Sequence, residues 1–542
     1  MTRYAMLADL DRCVGCQTCT AACRHANATS PAVQWRKVLD IEYGVYPQVS
    51  RTFVPVGCQH CDDPPCMHVC PTTATRKRAD GIVTIDYDIC IGCAYCDVAC
   101  PYQARFKVSD ARHAYGDAAM EHEALREDPR RLGVAQKCTF CADRIDAGLA
   151  EGLVPGKDAA ASPACVNACI ADALVFGDLD DPGSNVSLLL RERPHFQMHA
   201  ELGTSPNFYY LYDRHTPNVP IDLEPSAGAN DPAGQTRNRG VEPWHQQHWE
   251  WKAALNFMLG GAGTGLLASA VACGLAPADY LPVGLVALAM IATGLAALMF
   301  KIGRPMRFLY VLRQPQRSWM SREAWIAALF FPVTAWALWF GSAPGITIAT
   351  AIGLAFMFAQ AKIVHEARGI PAWRHGRIVP FMLSTGLTEG AGVLVLLANA
   401  PSLHHALRPA MLALVALIVV RQITWTIYLR GVREAGIPSR ALDVLSRTGR
   451  QLAIWGGVIS LALIGGAAVI EQAAGALAGL GALSALSAGW FVKLVLITRA
   501  GYNQGFALHR KSPSGSPGPA IQPGWASPGR QGGGASRTRY AA

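Results

Sequence analysis

From about residue 251 to 508 the chain alternates long apolar runs with short polar segments. Eight runs, approximately 252–275, 281–301, 323–341, 345–364, 378–399, 409–429, 451–471 and 475–498, each have the ~20 residues that a helix needs to cross a bilayer. A buried soluble core would not supply eight such runs in succession. The pattern therefore predicts an all-α bundle of eight transmembrane helices over 250–509, with tight joints making antiparallel hairpins of the third and fourth and of the seventh and eighth. Residues 1–212 carry no such run and read as a separate α+β domain. There D-G-I-V-T-I-D places Ile82, Val83, Thr84 and Ile85 after a turn, as in a short hairpin. Residues 213–249 include P-S-A-G-A-N-D-P-A-G-Q-T-R-N-R-G, a linker in composition. The tail over 510–542 has no periodicity and reads as disordered.

Charge gives the bundle a direction. The net charge of +9 would suit a nucleic-acid partner only if the basic residues formed a face or stripe, and in the first domain they do not. They sit instead between apolar runs. With an even number of spans, both termini and the 2–3, 4–5 and 6–7 loops share one side. Those loops hold Lys301, Arg304, Arg307, Arg313, Arg317 and Arg322; then Lys362, Arg368, Arg374 and Arg377; then Arg430, Arg433, Arg440, Arg447 and Arg450. The opposite loops hold only Arg408. Positive loops stay inside. Asp9, Asp11 and cysteines stand where a signal peptide would need its apolar core. The expectation is a multi-pass protein of the cytoplasmic (inner) membrane, with both termini and the first domain in the cytoplasm.

Sixteen of the 17 cysteines lie before residue 170. C-V-G-C-Q-T-C-T-A-A-C holds Cys13, Cys16, Cys19 and Cys23, and C-I-G-C-A-Y-C-D-V-A-C-P repeats the spacing with Cys90, Cys93, Cys96 and Cys100. C-Q-H-C-D-D-P-P-C-M-H-V-C-P is an expanded version with Cys58, Cys61, Cys66 and Cys70. A fourth group is split between Cys138 with Cys141 and Cys165 with Cys169. C-x2-C-x2-C-x3-C-P is the bacterial ferredoxin pattern, in which three thiolates wrap one cluster and the fourth reaches another. Zinc is the alternative, but its sites combine separate two-residue knuckles and have no use for a third cysteine two residues on. Sixteen thiolates suffice for four 4Fe-4S clusters. Such a domain makes a wire rather than a catalyst, since nothing offers a substrate an open iron position.

The spans carry their own signals. His365, His375, His404, His405 and His509 lie in loops or at helix ends, so no pair is placed to clamp a haem within the membrane. A lipid-soluble quinone is then the natural carrier. Glu389 in the fifth span and Arg421 in the sixth suggest an ion pair, either structural or involved in proton movement. Lys493 is close enough to the cytoplasmic end to snorkel, and Cys273 reads as a small apolar filler.

With all four cysteine groups in order, and with V-F-G-D-L-D-D-P-G-S and E-L-G-T-S-P-N-F-Y-Y-L after them, residues 1–212 resemble the four-cluster ferredoxin-like subunit of the dimethyl-sulfoxide reductase family of molybdenum enzymes. Residues 250–509 resemble that family's anchor subunit, through K-I-G-R-P-M-R-F-L-Y-V-L, S-W-M-S-R-E and K-L-V-L-I-T-R-A-G-Y-N-Q-G-F-A-L. The resemblance implies crossed ligand sets. Cys13, Cys16 and Cys19 would join Cys169; Cys138, Cys141 and Cys165 would join Cys23. Cys58, Cys61 and Cys66 would join Cys100; Cys90, Cys93 and Cys96 would join Cys70. Arg24 and Ile170 stand where the family has proline after the fourth cysteine. It also implies a quinone site at the 2–3 loop, with Glu323 as its acidic residue. Lys301 replaces a histidine often found before the Gly-Arg-Pro turn; for Lys301 and Arg304, positive-inside anchoring is an equal reading.

No stretch here would bind molybdopterin, so the resemblance implies a separate molybdopterin-containing catalytic subunit. The chain itself is expected to be a non-catalytic redox subunit. A fusion whose cluster domain stays inside is most similar to cytoplasmic-facing sulfite-oxidising complexes. Another substrate, or a stand-alone relay without a molybdenum partner, is the alternative.

Overall fold

The computed structural model describes residues 2–212 except 32, 46–47, 112, 114–115 and 126, residues 242–506, and the stretches 508–511 and 517–521. Most of the expected linker (213–241) and most of the tail lie outside the described residues. Within the tail, Leu508–Lys511 and Pro517–Ile521 pair antiparallel. The chain divides into two compact units: Met1–Trp244 with Asn503–Ala542, and His245–Tyr502.

The first unit is built on a four-stranded sheet. Tyr4–Asp9 lies at its centre, antiparallel to Leu174–Asp178 and parallel to Phe208–Leu211, which in turn pairs with His195–Phe196. All six residues of Tyr4–Asp9 are buried, as a strand covered on both faces requires. Two hairpins flank the cysteine loops. Arg36–Val45 pairs with Gln48–Gly57, and Thr75–Lys77 pairs with Val83–Ile85, the hairpin expected from D-G-I-V-T-I-D. Short helices Thr18–Asn27, Tyr95–Ala99 and Ala142–Ala150 each start at or next to a cysteine. Asn503 anchors a further segment here: its Oδ1 accepts from Gln103 Nε2 at 2.9 Å and from the Trp244 backbone N–H at 2.9 Å.

The second unit is a bundle of eight helical rods: Trp251–Ala272, Tyr280–Met299, Trp319–Trp339, Ala343–His365, Ile378–Leu397, Leu407–Glu434, Ser439–Val469 and Ala474–Thr498. Seven of them are long and apolar enough to cross a membrane. The third, Trp319–Trp339, falls short because four tryptophans, Pro332, Arg322 and Glu323 dilute its aliphatic content. Its outer face is nevertheless apolar, with Trp325, Leu329, Trp336 and Trp339 exposed. The first and fifth rods touch through Gly261 and Gly265 on one and Gly386 and Gly390 on the other. A Cβ on Gly390 would lie 1.9 Å from the Gly265 carbonyl carbon, so only glycine allows this approach. Small residues four apart on both helices are the usual basis of close packing in lipid. The seventh rod contains a π turn over Ile454–Ile459.

Candidate functional site

The sixteen cysteines stand in loops and in the short helices that follow them, and four of the loops share one backbone device. In the opening C-x-x-C of each of the four groups the residue before the second cysteine is left-handed: Gly15 (φ 70°), His60 (φ 43°), Gly92 (φ 68°) and Phe140 (φ 54°). The turn reverses the chain within three residues, so that both cysteines point to one side. Backbone amides follow: the Phe140 N–H donates to Cys138 Sγ (3.4 Å), Thr75 N–H to Cys70 Sγ (3.5 Å) and Ala173 N–H to Cys169 Sγ (3.2 Å).

The thiols gather in four quartets. Cys13, Cys16, Cys19 and Cys169 line one cavity, and Cys58, Cys61, Cys66 and Cys100 line another. Cys23 has Cys138, Cys165 and Cys141 as its electrostatic neighbours, and Asn27 Nδ2 bridges the sulfurs of Cys23 (3.8 Å) and Cys141 (3.7 Å). Cys96 has Cys93, Cys90 and Cys70. In this order they are the first, third, second and fourth quartets. Among the described residues no three Cys, His, Asp or Glu side chains converge tightly enough to hold a single metal ion. A tetrahedral zinc site, with Zn–S near ~2.3 Å, would bring its sulfurs within about 4 Å of one another. Four cysteines around each of two cavities are the all-thiolate donor set that an iron–sulfur cluster takes.

Cations are buried among these thiols. Arg36, 1% exposed, has the thiols of Cys165, Cys138, Cys19 and Cys23 as its electrostatic neighbours, from the first and second quartets. Its Nη2 donates to Met6 Sδ at 3.0 Å, while its Nε and Nη1 are buried without any partner. Lys137, fully buried, donates to the carbonyls of Cys138 (2.6 Å) and Val83. Arg105 donates to Cys66 Sγ at 2.8 Å and to Thr75 Oγ1 at 3.1 Å. Orphaned guanidinium nitrogens inside a ring of thiols are what an anionic group at the quartet centres would satisfy. Burial pushes the Cys13 thiol up to about 11 and the Cys100 and Cys165 thiols up to about 12, so binding there would displace protons. None of the three cations was expected from the sequence; the one available signal was that Lys137 directly precedes Cys138.

In the bundle, Glu323 is buried at the start of the third rod. Its Oε1 accepts from Asn256 Nδ2 and Gln360 Nε2, both at 3.1 Å, from the first and fourth rods. Neither amide was anticipated. Lys301 holds its ammonium 4.5 Å over the Trp249 ring. Trp249 stacks on Trp373 and lies beside Phe257, the neighbour of Asn256. Arg304 caps the 3-10 turn Pro305–Arg313. The expected Glu389–Arg421 pair is not formed. Glu389 binds Lys493 at 2.6 Å, and Lys493, only 1% exposed, also donates to the Phe257 carbonyl at 3.0 Å rather than snorkelling. Arg421 donates to the carbonyls of Ala485 (2.8 Å) and Gly456 (2.7 Å), the latter within the π turn.

The fold and these sites define a class: an iron–sulfur electron carrier continuous with a multi-pass membrane anchor. Comparison with known proteins gives the family. Residues 49–118 match the 4Fe-4S dicluster domain, and residues 278–441 match the DMSO reductase anchor subunit. The dicluster segment contains all eight cysteines of the third and fourth quartets. Among similar proteins is a sulfite dehydrogenase subunit of Allochromatium vinosum, 39% identical over 43% of this chain and 92% of the relative. A tetrathionate reductase subunit of Salmonella typhimurium is 40% identical over 39% of this chain and 72% of its own. A selenate reductase subunit of Mesobacillus selenatarsenatis is 39% identical over the same shares. The chain belongs to the iron–sulfur subunits of the dimethyl-sulfoxide reductase family, here joined to that family's anchor.

Proposed function

We propose that this chain conducts electrons between a separate molybdopterin-containing catalytic subunit and membrane quinone, through four 4Fe-4S clusters held by the four quartets. The observation that carries the reading is the gathering of sixteen thiols into four quartets. When bound, such clusters each take up and release one electron. The chain's residues hold them in series, shield them by burial and donate backbone N–H groups to their ligand sulfurs. The anchor would span the membrane eight times with its basic loops, and the cluster domain, on the cytoplasmic side. Glu323, held by Asn256 and Gln360, is the proposed quinone contact, with Lys301 and Arg304 on the adjoining loop. Glu323→Gln is then expected to slow quinone exchange while iron content stays whole; loss of iron would mean a folding role.

Sulfite is the proposed electron donor, supported by the basic loops and by the similarity to a sulfite dehydrogenase subunit across most of that relative's length. The tetrathionate and selenate reductase subunits, equally similar, favour a second reading in which the complex reduces an oxyanion. Anaerobic extraction from native membranes tests both. About sixteen irons and one molybdenum per chain, with a large second polypeptide, are expected, and sulfite should reduce the clusters. Oxidation of pre-reduced clusters by tetrathionate or selenate, without reduction by sulfite, would favour the second reading. Iron without molybdenum or partner would leave a stand-alone relay.

A further inference from the structure

Buried arginines are normally matched by carboxylates, because an unpaired buried charge is costly. Arg36 departs from this: among the described residues its only polar partner is Met6 Sδ, its guanidinium lies 4.9 Å over the Phe208 ring, and two of its nitrogens are orphaned. What surrounds it is sulfur, from Cys19 of the first quartet and from Cys23, Cys138 and Cys165 of the second. Arg105 likewise lies among thiols. It donates directly to Cys66 of the third quartet, and through Thr75 it holds the strand whose N–H reaches Cys70 of the fourth. Its electrostatic neighbours, Cys66, Cys96, Cys58 and Cys100, again come from two quartets. Both arginines are about 1% exposed, so water does little to screen them. Guanidinium does not deprotonate in proteins, so both charges are permanent.

We propose that Arg36 and Arg105 are positioning residues for redox potential, each fixing one positive charge between two neighbouring clusters and raising the reduction potentials of that pair. The inference rests on the four-cluster reading. One electron enters and leaves each site; no bond forms or breaks and no proton is consumed. A fixed cation favours the more negative, reduced state of whatever lies beside it, and net charge and hydrogen bonds to sulfur are recognised determinants of cluster potential. Because each arginine has thiols of two quartets as its electrostatic neighbours, the four sites are tuned as two pairs rather than singly or all together.

The test is a potentiometric titration of the membrane-extracted full chain, with the reduced clusters counted by low-temperature EPR and iron measured on the same samples. In Arg36→Met two of the four midpoints are expected to fall, each by at least tenfold in the oxidised-to-reduced ratio at fixed potential, or 59 mV for a one-electron couple. In Arg105→Met the other two should fall. Arg36→Lys and Arg105→Lys keep the charge and should restore most of each shift, with the Arg105 substitution recovering less because it loses the hydrogen bond to Cys66. Full iron with unmoved midpoints overturns the inference, as does movement of all four together in either variant. If a methionine variant fails to hold iron, the neutral polar variants Arg36→Gln and Arg105→Gln decide: full iron with the corresponding midpoint pair unmoved overturns that half of the inference. Fewer than four clusters in the unaltered chain would instead sink the four-cluster reading.

Discussion

Gly15, His60, Gly92 and Phe140 occupy the same place in four loops, and only two of them are glycine. A left-handed residue with a side chain costs roughly 1–2 kcal/mol. His60 and Phe140 are buried in contact with each other, their rings stacked 3.7 Å apart between the second and third quartets. The His60 Nδ1 accepts from the Val83 N–H at 3.1 Å, and burial, with Lys137, Arg36 and Arg105 nearby, pulls its pKa well below the usual value, so the ring is neutral. At Gly15 there is no such exchange: an added Cβ would meet the Phe53 ring at 2.4 Å. Gly15→Ala is therefore expected to lose about four irons of sixteen, read as iron per chain, with the other quartets keeping theirs. Inside the bundle, Lys493→Met would strand Glu389 and cost about 3–5 kcal/mol. The double variant Lys493→Met with Glu389→Leu should recover most of that, as measured by thermal unfolding in detergent. All sixteen thiols were legible in the sequence because C-x-x-C spacing is local. Arg36, Arg105 and Lys137 were not, because burial beside sulfur depends on how distant segments meet. The partner of Glu389 differs from the expected one for the same reason: Lys493 reaches it from the eighth rod, while Arg421 turns to the carbonyls of Ala485 in that rod and of Gly456 in the π turn.

Among elements, the apolar runs marked the rods well where every face is apolar and poorly where one face is not. The seventh rod begins at Ser439, twelve residues before the apolar run at 451, because its first turns are amphipathic. They bury Ala441, Leu442, Leu445 and Leu452 and leave Arg440, Arg447 and Arg450 on other faces. The third rod shows the converse, with tryptophans on its outer face and Glu323 turned inward. Contact between the first and fifth rods depends on four glycines, and that dependence gives a clear expectation. Gly390→Leu would force the rods apart and cost about 1–3 kcal/mol or more in overpacking. Loss of melting cooperativity in detergent, with iron still bound, would check it. Gly465, where an added Cβ would meet nothing within 4 Å, should accept alanine without effect.

At the scale of the whole molecule, membrane side is the property most open to direct test. The linker carries Arg237 and Arg239. If the basic loops face the cytoplasm, trypsin should cut there in inside-out vesicles and not in intact cells; the reverse pattern would invert the proposed topology.

The quartets also differ in how far apart in the chain their members lie. The third and fourth draw all eight cysteines from positions 58 to 100, whereas the first and second join Cys13 and Cys23 to partners as distant as Cys169 and Cys165. During synthesis at about 5–20 residues per second, the 69 residues from position 100 to 169 take roughly 3–14 s. For that interval the growing chain has two complete sets of four cysteines, a first quartet that lacks only Cys169, and a second that has Cys23 alone until Cys138 is made. Both remaining quartets are then completed within four residues of each other, at Cys165 and Cys169, so their ligand sets become whole almost together.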